Sequence, residues 1–130
     1  MRQKLIDAMT VPELLEQYRD HLLLQWEFRD YHGANGKPDV GPWNRLARKI
    51  ERFHRALKSR GDEGVDAILT LIHHPNRNVR HSAVVHCLKQ RTDIVLPELI
   101  LEQSMPDWMP MSFNFWLAHM WWTNGQWTVD

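Results

Sequence analysis

The chain has 130 residues and a mass of 15.5 kDa, which predicts one domain with at most short tails. Hydrophobic residues make up 43% of the chain and charged residues 25%, ordinary globular values that exclude wholesale disorder. Sixteen basic and sixteen acidic residues cancel, so no net field steers the whole protein to nucleic acid or anionic lipid. No apolar run approaches the ~18 residues of a membrane span. The single Cys87 suits a reducing compartment, so we expect a cytoplasmic protein without membrane contact.

The two ends of the chain are predicted to be short tails around one helical domain. The first ten residues, MRQKLIDAMT, carry positive charge but no apolar segment, which is not the pattern of a secretory signal. We expect residues 1–9 to be an N-terminal tail and residues 128–130 a C-terminal tail. Residues 10–127 are predicted to form the single domain between them.

The first helix is predicted over residues 10–31. Thr10 can cap its N-terminus and Glu13 stands three residues later, as in a capping box, while Pro12 lies where its missing N–H costs little. Apolar residues at spacings of three and four form one face with Leu14, Leu15, Tyr18, Leu22 and Trp26, widened by Leu23, Leu24 and Phe28. Residues 33–41 hold three glycines, an Asn-Gly pair and a proline, which predicts a loop.

The second helix is predicted over residues 42–59, ended by Gly61. Its narrow apolar stripe consists of Leu46, Ile50, Phe53 and Leu57. Further helices are predicted over residues 62–73, 76–90, 92–104 and 111–123. Because no segment alternates with a two-residue period, strands are not indicated. The predicted fold class is therefore all-α, with six helices in three pairs.

The most specific pattern in the sequence covers residues 65–88. An apolar helix ends at a His-Pro-Asn turn, and a second helix then opens with Val79 and Arg80 and carries Ala83, which permits close helix approach. Arg80 can reach neighbouring carbonyls or a carboxylate. This stretch resembles a HEAT-type repeat, and residues 10–127 more loosely resemble a family of short bacterial HEAT-like domains of unknown function. The resemblance implies a short α-α superhelix and no catalytic residues.

Motifs for catalysis or cofactor binding are missing from the sequence. Eight histidines invite a metal hypothesis, but the adjacent His73 and His74 would point in different directions on a helix. His81 and His86 would lie about 140° apart around one. No H-E-x-x-H, C-x-x-C or G-x-S-x-G pattern occurs, and Cys87 lies on an apolar helical stripe. We therefore expect no enzyme activity, no metal and no cofactor.

The second predicted helix concentrates positive charge. Seven basic residues and one acidic residue lie within residues 41–61, a net charge of +6 in a neutral protein. Opposite the apolar stripe we expect an exposed arc formed by Arg45, Arg48, Arg52 and Arg55. Such a face could meet phosphate backbone or an acidic protein. Part of its charge could be neutralised from the preceding helix by Asp20, Glu27 and Asp30.

The C-terminal end is rich in aromatic residues, with five of the seven tryptophans in the last 23 residues. These rings either close the core or form a partner surface, since Trp is a frequent hot-spot residue at interfaces. The candidate contact residues at this end are Trp121, Trp122 and Trp127. A homodimer through the aromatic end is one form that such a contact could take.

The sequence favours a non-catalytic protein-interaction domain of scaffold or inhibitor type, with another protein as its partner. The alternative is binding of nucleic acid or phosphate backbone through the basic helix over residues 42–59. A nucleic-acid binder should lose affinity steeply as salt is raised, whereas a protein-binding domain should show a modest salt dependence.

Overall fold

A computed structural model of the protein describes residues 2–103, and every regular element within them is an α-helix. The helices of this part are α1 (Gln3–Asp7), α2 (Val11–Glu27), α3 (Gly41–Lys58), α4 (Asp62–Leu69), α5 (Arg77–Cys87) and α6 (Thr92–Gln103). The all-α prediction is therefore confirmed, and the α2–α3 loop adds only an isolated β-bridge between His32 and Pro38. Each of the described helices is too short or too polar to cross a membrane. The helix predicted over residues 111–123 lies outside the described residues.

The described chain divides between Ala67 and Ile68 into two compact units. Unit 1 contains α1, α2, α3 and most of α4, and unit 2 contains α5 and α6. The sequence predicts a tail over residues 1–9, but residues 3–7 form α1, and Ile6 is buried in the core at 1% exposure. The backbone after α1 is held by Arg60, whose guanidinium donates to the carbonyl oxygens of Asp7 and Met9 at 3.1 and 2.7 Å.

The N-terminus of α2 is fixed by the capping box that the sequence predicts. The Thr10 hydroxyl accepts a hydrogen bond from the Glu13 N–H at 3.3 Å, and the Glu13 carboxylate accepts one from the Thr10 N–H at 3.0 Å. The helix ends four residues earlier than predicted. Its last turn tightens because the N–H groups of Phe28 and Arg29 donate to carbonyls three residues earlier, as in a 3₁₀-helix.

Thr10→Ala should lower the free energy of unfolding by about 1 kcal/mol, because it leaves one N–H at the start of α2 without its acceptor. Equilibrium urea denaturation measures the change. Glu16→Ala, on the exposed side of the same helix, is the control and should change the free energy by less than about 0.5 kcal/mol. Equal losses in the two variants would contradict a specific role for the cap.

Helices α2 and α3 form the core of unit 1. The predicted stripe of α3 is buried throughout, at Leu46, Ile50, Phe53 and Leu57. On α2 the predicted inner position Trp26 is only half-buried, and the neighbouring Gln25 is buried instead. The Gln25 amide can occupy the interior because it donates to the Trp43 carbonyl oxygen at 3.2 Å. The Trp26 ring stays at the edge, with the Arg29 guanidinium 4.5 Å from its centroid.

Helix α5 carries the two small apolar residues on which the HEAT-like resemblance depends. Val79 and Ala83 are both fully buried in unit 2. The helix begins after Asn76, whose side-chain oxygen accepts a hydrogen bond from the Val79 N–H at 3.2 Å. Over residues 65–88 the chain therefore has the predicted order of helix, turn and helix.

Candidate functional site

A groove of about 450 Å³ lies in unit 1, along the C-terminal end of α2 and the N-terminal half of α3. Its apolar lining consists of Leu24, Phe28, Pro42 and Leu46. Its charged lining consists of Arg45, Arg48, Lys49 and Arg52. Among the described residues no carboxylate lines this surface, which we name the basic groove.

Helix geometry explains why apolar and basic residues meet along this groove. The four cations recur at i, i+3, i+4 and i+7, which places them on one side of α3 next to its buried stripe. Leu24 lies on α2, and Phe28, the residue that directly follows the helix, lines the same groove four positions later. Leu24 is 49% exposed, so part of the apolar lining is open to solvent beside the cations.

Three of the four cations have no partner among the described residues. Within residues 2–103, the side chains of Arg45, Arg48 and Lys49 form no hydrogen bond or ion pair. Like charges three or four residues apart on a helix destabilise it by about 0.2–0.5 kcal/mol per pair. The groove therefore has an unbalanced positive charge that a bound anion would relieve.

The other two arginines of the predicted arc have partners. Arg52 lines the groove, and its Nε donates to Gln3 Oε1 at 3.3 Å. Arg55 does not line the groove, and its Nε donates to Glu51 Oε1 at 3.0 Å. A hydrogen bond from His54, reinforced by the charge of Arg55, lowers the pKa of the Glu51 carboxyl although partial burial opposes this. Arg55 is thus largely neutralised by a residue of its own helix.

The acidic residues expected to neutralise the basic arc do not do so within the described chain. Asp20 lies 3.0 Å from the Nε of its neighbour Arg19, and Asp30 lies 3.7 Å from the Nε of its neighbour Arg29. Glu27 forms no ion pair with any described residue. The adjacent arginines are the nearer partners, so the basic groove keeps its charge.

Two parts of this site were not predicted from the sequence: Lys49 and the apolar wall that Leu24 contributes. Lys49 follows Arg45 by four residues, and this spacing indicates that the two side chains lie on the same side of α3. The exposure of Leu24 had no such signal, because the residue reads as part of a buried helix face. The distance between α2 and α3 depends on how the two helices pack, and the sequence pattern of one helix does not determine it.

A second polar cluster surrounds the carboxylate of Glu102 in unit 2. Glu102 is 8% exposed, and its Oε1 accepts hydrogen bonds from Arg80 Nε at 3.1 Å, Arg80 Nη2 at 2.7 Å and His81 Nε2 at 2.6 Å. Arg80 Nη1 also donates to the carbonyl oxygens of His74 and Pro75 at 3.1 and 3.3 Å. Arg80 therefore reaches both carbonyls and a carboxylate, as the sequence predicts, and ties the turn before α5 to α6.

Burial and pairing fix the charges of this cluster. Burial opposes ionisation of Glu102, but the hydrogen bonds from Arg80 and His81 outweigh it and lower the pKa of the Glu102 carboxyl. Burial lowers the pKa of His81 to about 4, since desolvation of the imidazolium outweighs its attraction to Glu102. At pH 7 the cluster thus consists of cationic Arg80, anionic Glu102 and a neutral His81 whose Nε2 carries the proton.

No family model, curated protein or solved structure matches this chain. The aromatic contact residues Trp121, Trp122 and Trp127 lie outside the described residues, so the aromatic surface and a homodimer through it stay predictions. Within the described residues, the basic groove is the feature that points most directly to a partner, because it combines unpaired charge with exposed apolar surface.

Proposed function

We propose that this chain is a non-catalytic, cytoplasmic protein-interaction domain that binds an acidic, partly apolar segment of another protein in its basic groove. One observation carries the proposal: Arg45, Arg48 and Lys49, which have no partner among the described residues, line the same groove as the exposed side chain of Leu24. Carboxylates suit the two guanidinium groups because a carboxylate can accept two parallel hydrogen bonds from one arginine. An apolar side chain of the same segment would cover Leu24 and Phe28.

The dimensions and chemistry of the groove favour a protein segment over a nucleic acid. From Arg45 to Arg52 the cations extend over about 10 Å of helix, which is the length of two turns of a partner helix. A helix with acidic and apolar residues at matching spacings would present both to the groove at once. Nucleic acid offers phosphates for the cations but no long aliphatic side chain to cover Leu24. Phosphate-backbone binding is therefore the second candidate, supported only by the cations that have no partner within residues 2–103.

The proposal includes a HEAT-like architecture of scaffold or inhibitor type. It is supported by the order of helix, turn and helix over residues 65–88, by the burial of Val79 and Ala83, and by the contacts of Arg80 with the turn carbonyls. Helical repeats commonly offer ridged surfaces to partner proteins, and this general property agrees with a binding role.

The binding test uses fluorescence anisotropy with three labelled probes. They are an amphipathic helical peptide of Glu and Leu, poly-glutamate and oligothymidine. We expect the amphipathic peptide to bind most tightly. Arg45→Glu combined with Arg48→Glu should weaken its binding by about 10- to 100-fold, since two attractions become repulsions. The matched control is Lys4→Glu combined with Lys37→Glu, two exposed lysines outside the groove whose reversal changes the net charge equally.

Leu24→Asn tests the apolar part of the site separately. It should weaken the amphipathic peptide but leave poly-glutamate unchanged, because only the peptide has a side chain to place on Leu24. Equal weakening by the lysine control would show that net charge alone explains the binding and would contradict the groove. Tighter binding of oligothymidine than of the peptide, with affinity falling steeply as salt rises, would favour the nucleic-acid alternative.

A further inference from the structure

A second cavity, of about 340 Å³, lies within unit 2 beside the Glu102 cluster. It is lined by the turn before α5 and by residues of α5 and α6. Its apolar wall includes Ile72, Val84 and Leu101, and its polar wall includes the side chains of His74, Glu98 and Glu102. We name it the Glu102 cavity. Its size falls at the small end of the range for ligand sites, which suits a ligand of few atoms.

Among the described residues, none donates a hydrogen bond to one of the two oxygens of the Glu102 carboxylate. All three of its hydrogen bonds converge on Oε1, and Oε2 accepts none from the described residues. The side chain is nonetheless nine-tenths buried, with 10% of its surface exposed. Because Glu102 lines the cavity, Oε2 offers acceptor capacity that a donor from a bound ligand can use.

A second carboxylate lies one helical turn away. Glu98 precedes Glu102 by four residues on α6, so the two side chains share a face. Glu98 Oε1 accepts a hydrogen bond from His73 Nε2 at 2.7 Å, and its Oε2 accepts none from the described residues. With the imidazoles counted as neutral, Arg80 and the two glutamates give the cavity lining a net charge of −1.

The two carboxylate oxygens that accept nothing from the described residues, together with the negative charge of the lining, favour a cation that donates hydrogen bonds. A metal ion would need several converging ligand atoms. In this cavity, however, no three carboxylate, imidazole or thiolate ligand atoms of described residues lie within 4.8 Å of one another. An ammonium group carries three donors in a compact tetrahedral arrangement, so it can bridge two carboxylates.

We propose that the Glu102 cavity binds a small aliphatic ammonium ion. Its nitrogen donates to Oε2 of Glu98 and Oε2 of Glu102, and its alkyl chain packs against Ile72, Val84 and Leu101. This site belongs to unit 2 and does not depend on the basic groove of unit 1. The ligand class is that of small primary amines, which combine one positive charge with a short apolar chain.

The test is a titration of the ¹⁵N-labelled protein with n-butylammonium chloride, followed by amide chemical shifts. We expect saturable shifts at His74, Glu98 and Glu102 with a dissociation constant of ~1 mM. Butyrate and 1-butanol match the probe in length but not in charge and should leave these amides unchanged. Glu98→Gln should weaken the amine by about tenfold because it removes one charge-assisted hydrogen bond. Glu63→Gln, an exposed substitution in unit 1, is the control and should not alter the affinity.

Glu98 is the decisive position because its only described side-chain partner is the exposed His73, so Glu98→Gln should fold normally. Glu102→Gln would also disturb Arg80 and His81 and is therefore not used. Absence of saturable shifts in the wild-type protein would overturn the proposal. So would equal effects of butyrate or butanol, or an unchanged affinity in Glu98→Gln.

Discussion

Gly64→Ala should lower the free energy of unfolding by about 4 kcal/mol, although the substitution adds a single methyl group. A Cβ on Gly64 would lie 1.7 Å from the carbonyl oxygen of Leu57 and 2.5 Å from its carbonyl carbon. These are backbone atoms of α3, so they cannot move aside without shifting the helix that carries much of the core of unit 1. In an open helical position alanine would instead be more stable than glycine by about 1 kcal/mol. Equilibrium urea denaturation gives both sign and size.

Gly61→Ala is the matched control for this prediction. Gly61 has φ = +71°, and no heavy atom of a described residue other than its chain neighbours lies within 4 Å of an added Cβ, so alanine there meets backbone strain but no collision. The strain should cost about 1–2 kcal/mol. A loss in Gly64→Ala no greater than the loss in Gly61→Ala would contradict the close approach of Gly64 to Leu57.

Gly64 also shows where prediction from the sequence stops. The cap of α2 and the apolar stripe of α3 were predictable because they depend on neighbours three or four residues apart, as with Thr10 and Glu13. The need for glycine at position 64 depends on a backbone atom of another helix, and no local pattern indicates it. For the same reason α1 went unpredicted, since only the tertiary burial of Ile6 distinguishes it from a tail.

In the candidate site, too, the features set by local spacing were predictable and those set by tertiary packing were not. The basic side of α3 follows from periodicity, and the pairing of Arg55 with Glu51 could be read from their spacing of four residues. The exposure of Leu24 could not be predicted from spacing, because it depends on how closely two helices pack. Glu102 is the clearest case, since an acidic residue on a helix is ordinarily expected at the surface. Its burial is tolerable only because tertiary structure brings Arg80 to it.

Lowering the pH from 6.5 to about 4 should reduce the free energy of unfolding by about 3 kcal/mol through His81 alone. Burial lowers the pKa of His81 from 6.5 to about 4 in the folded protein, and the side chain is 2% exposed. Between these values the unfolded chain binds a proton that the folded protein does not. Stability is therefore fully present above pH 6.5 and is lost as the pH falls through the folded pKa.

His81→Gln separates this contribution from other acid effects. The glutamine amide can still donate to Glu102 but does not titrate, so the variant should lose less stability than the wild-type protein between pH 6.5 and 4. Urea denaturation at a series of pH values measures both slopes. Part of the slope should remain, because burial also lowers the pKa of His54, which is 3% exposed. Identical slopes in the variant and the wild-type protein would contradict the prediction, because they would show that His81 is protonated as readily in the folded state as in the unfolded state. The ion pair of Arg80 with Glu102 would then have to accommodate a second buried cation.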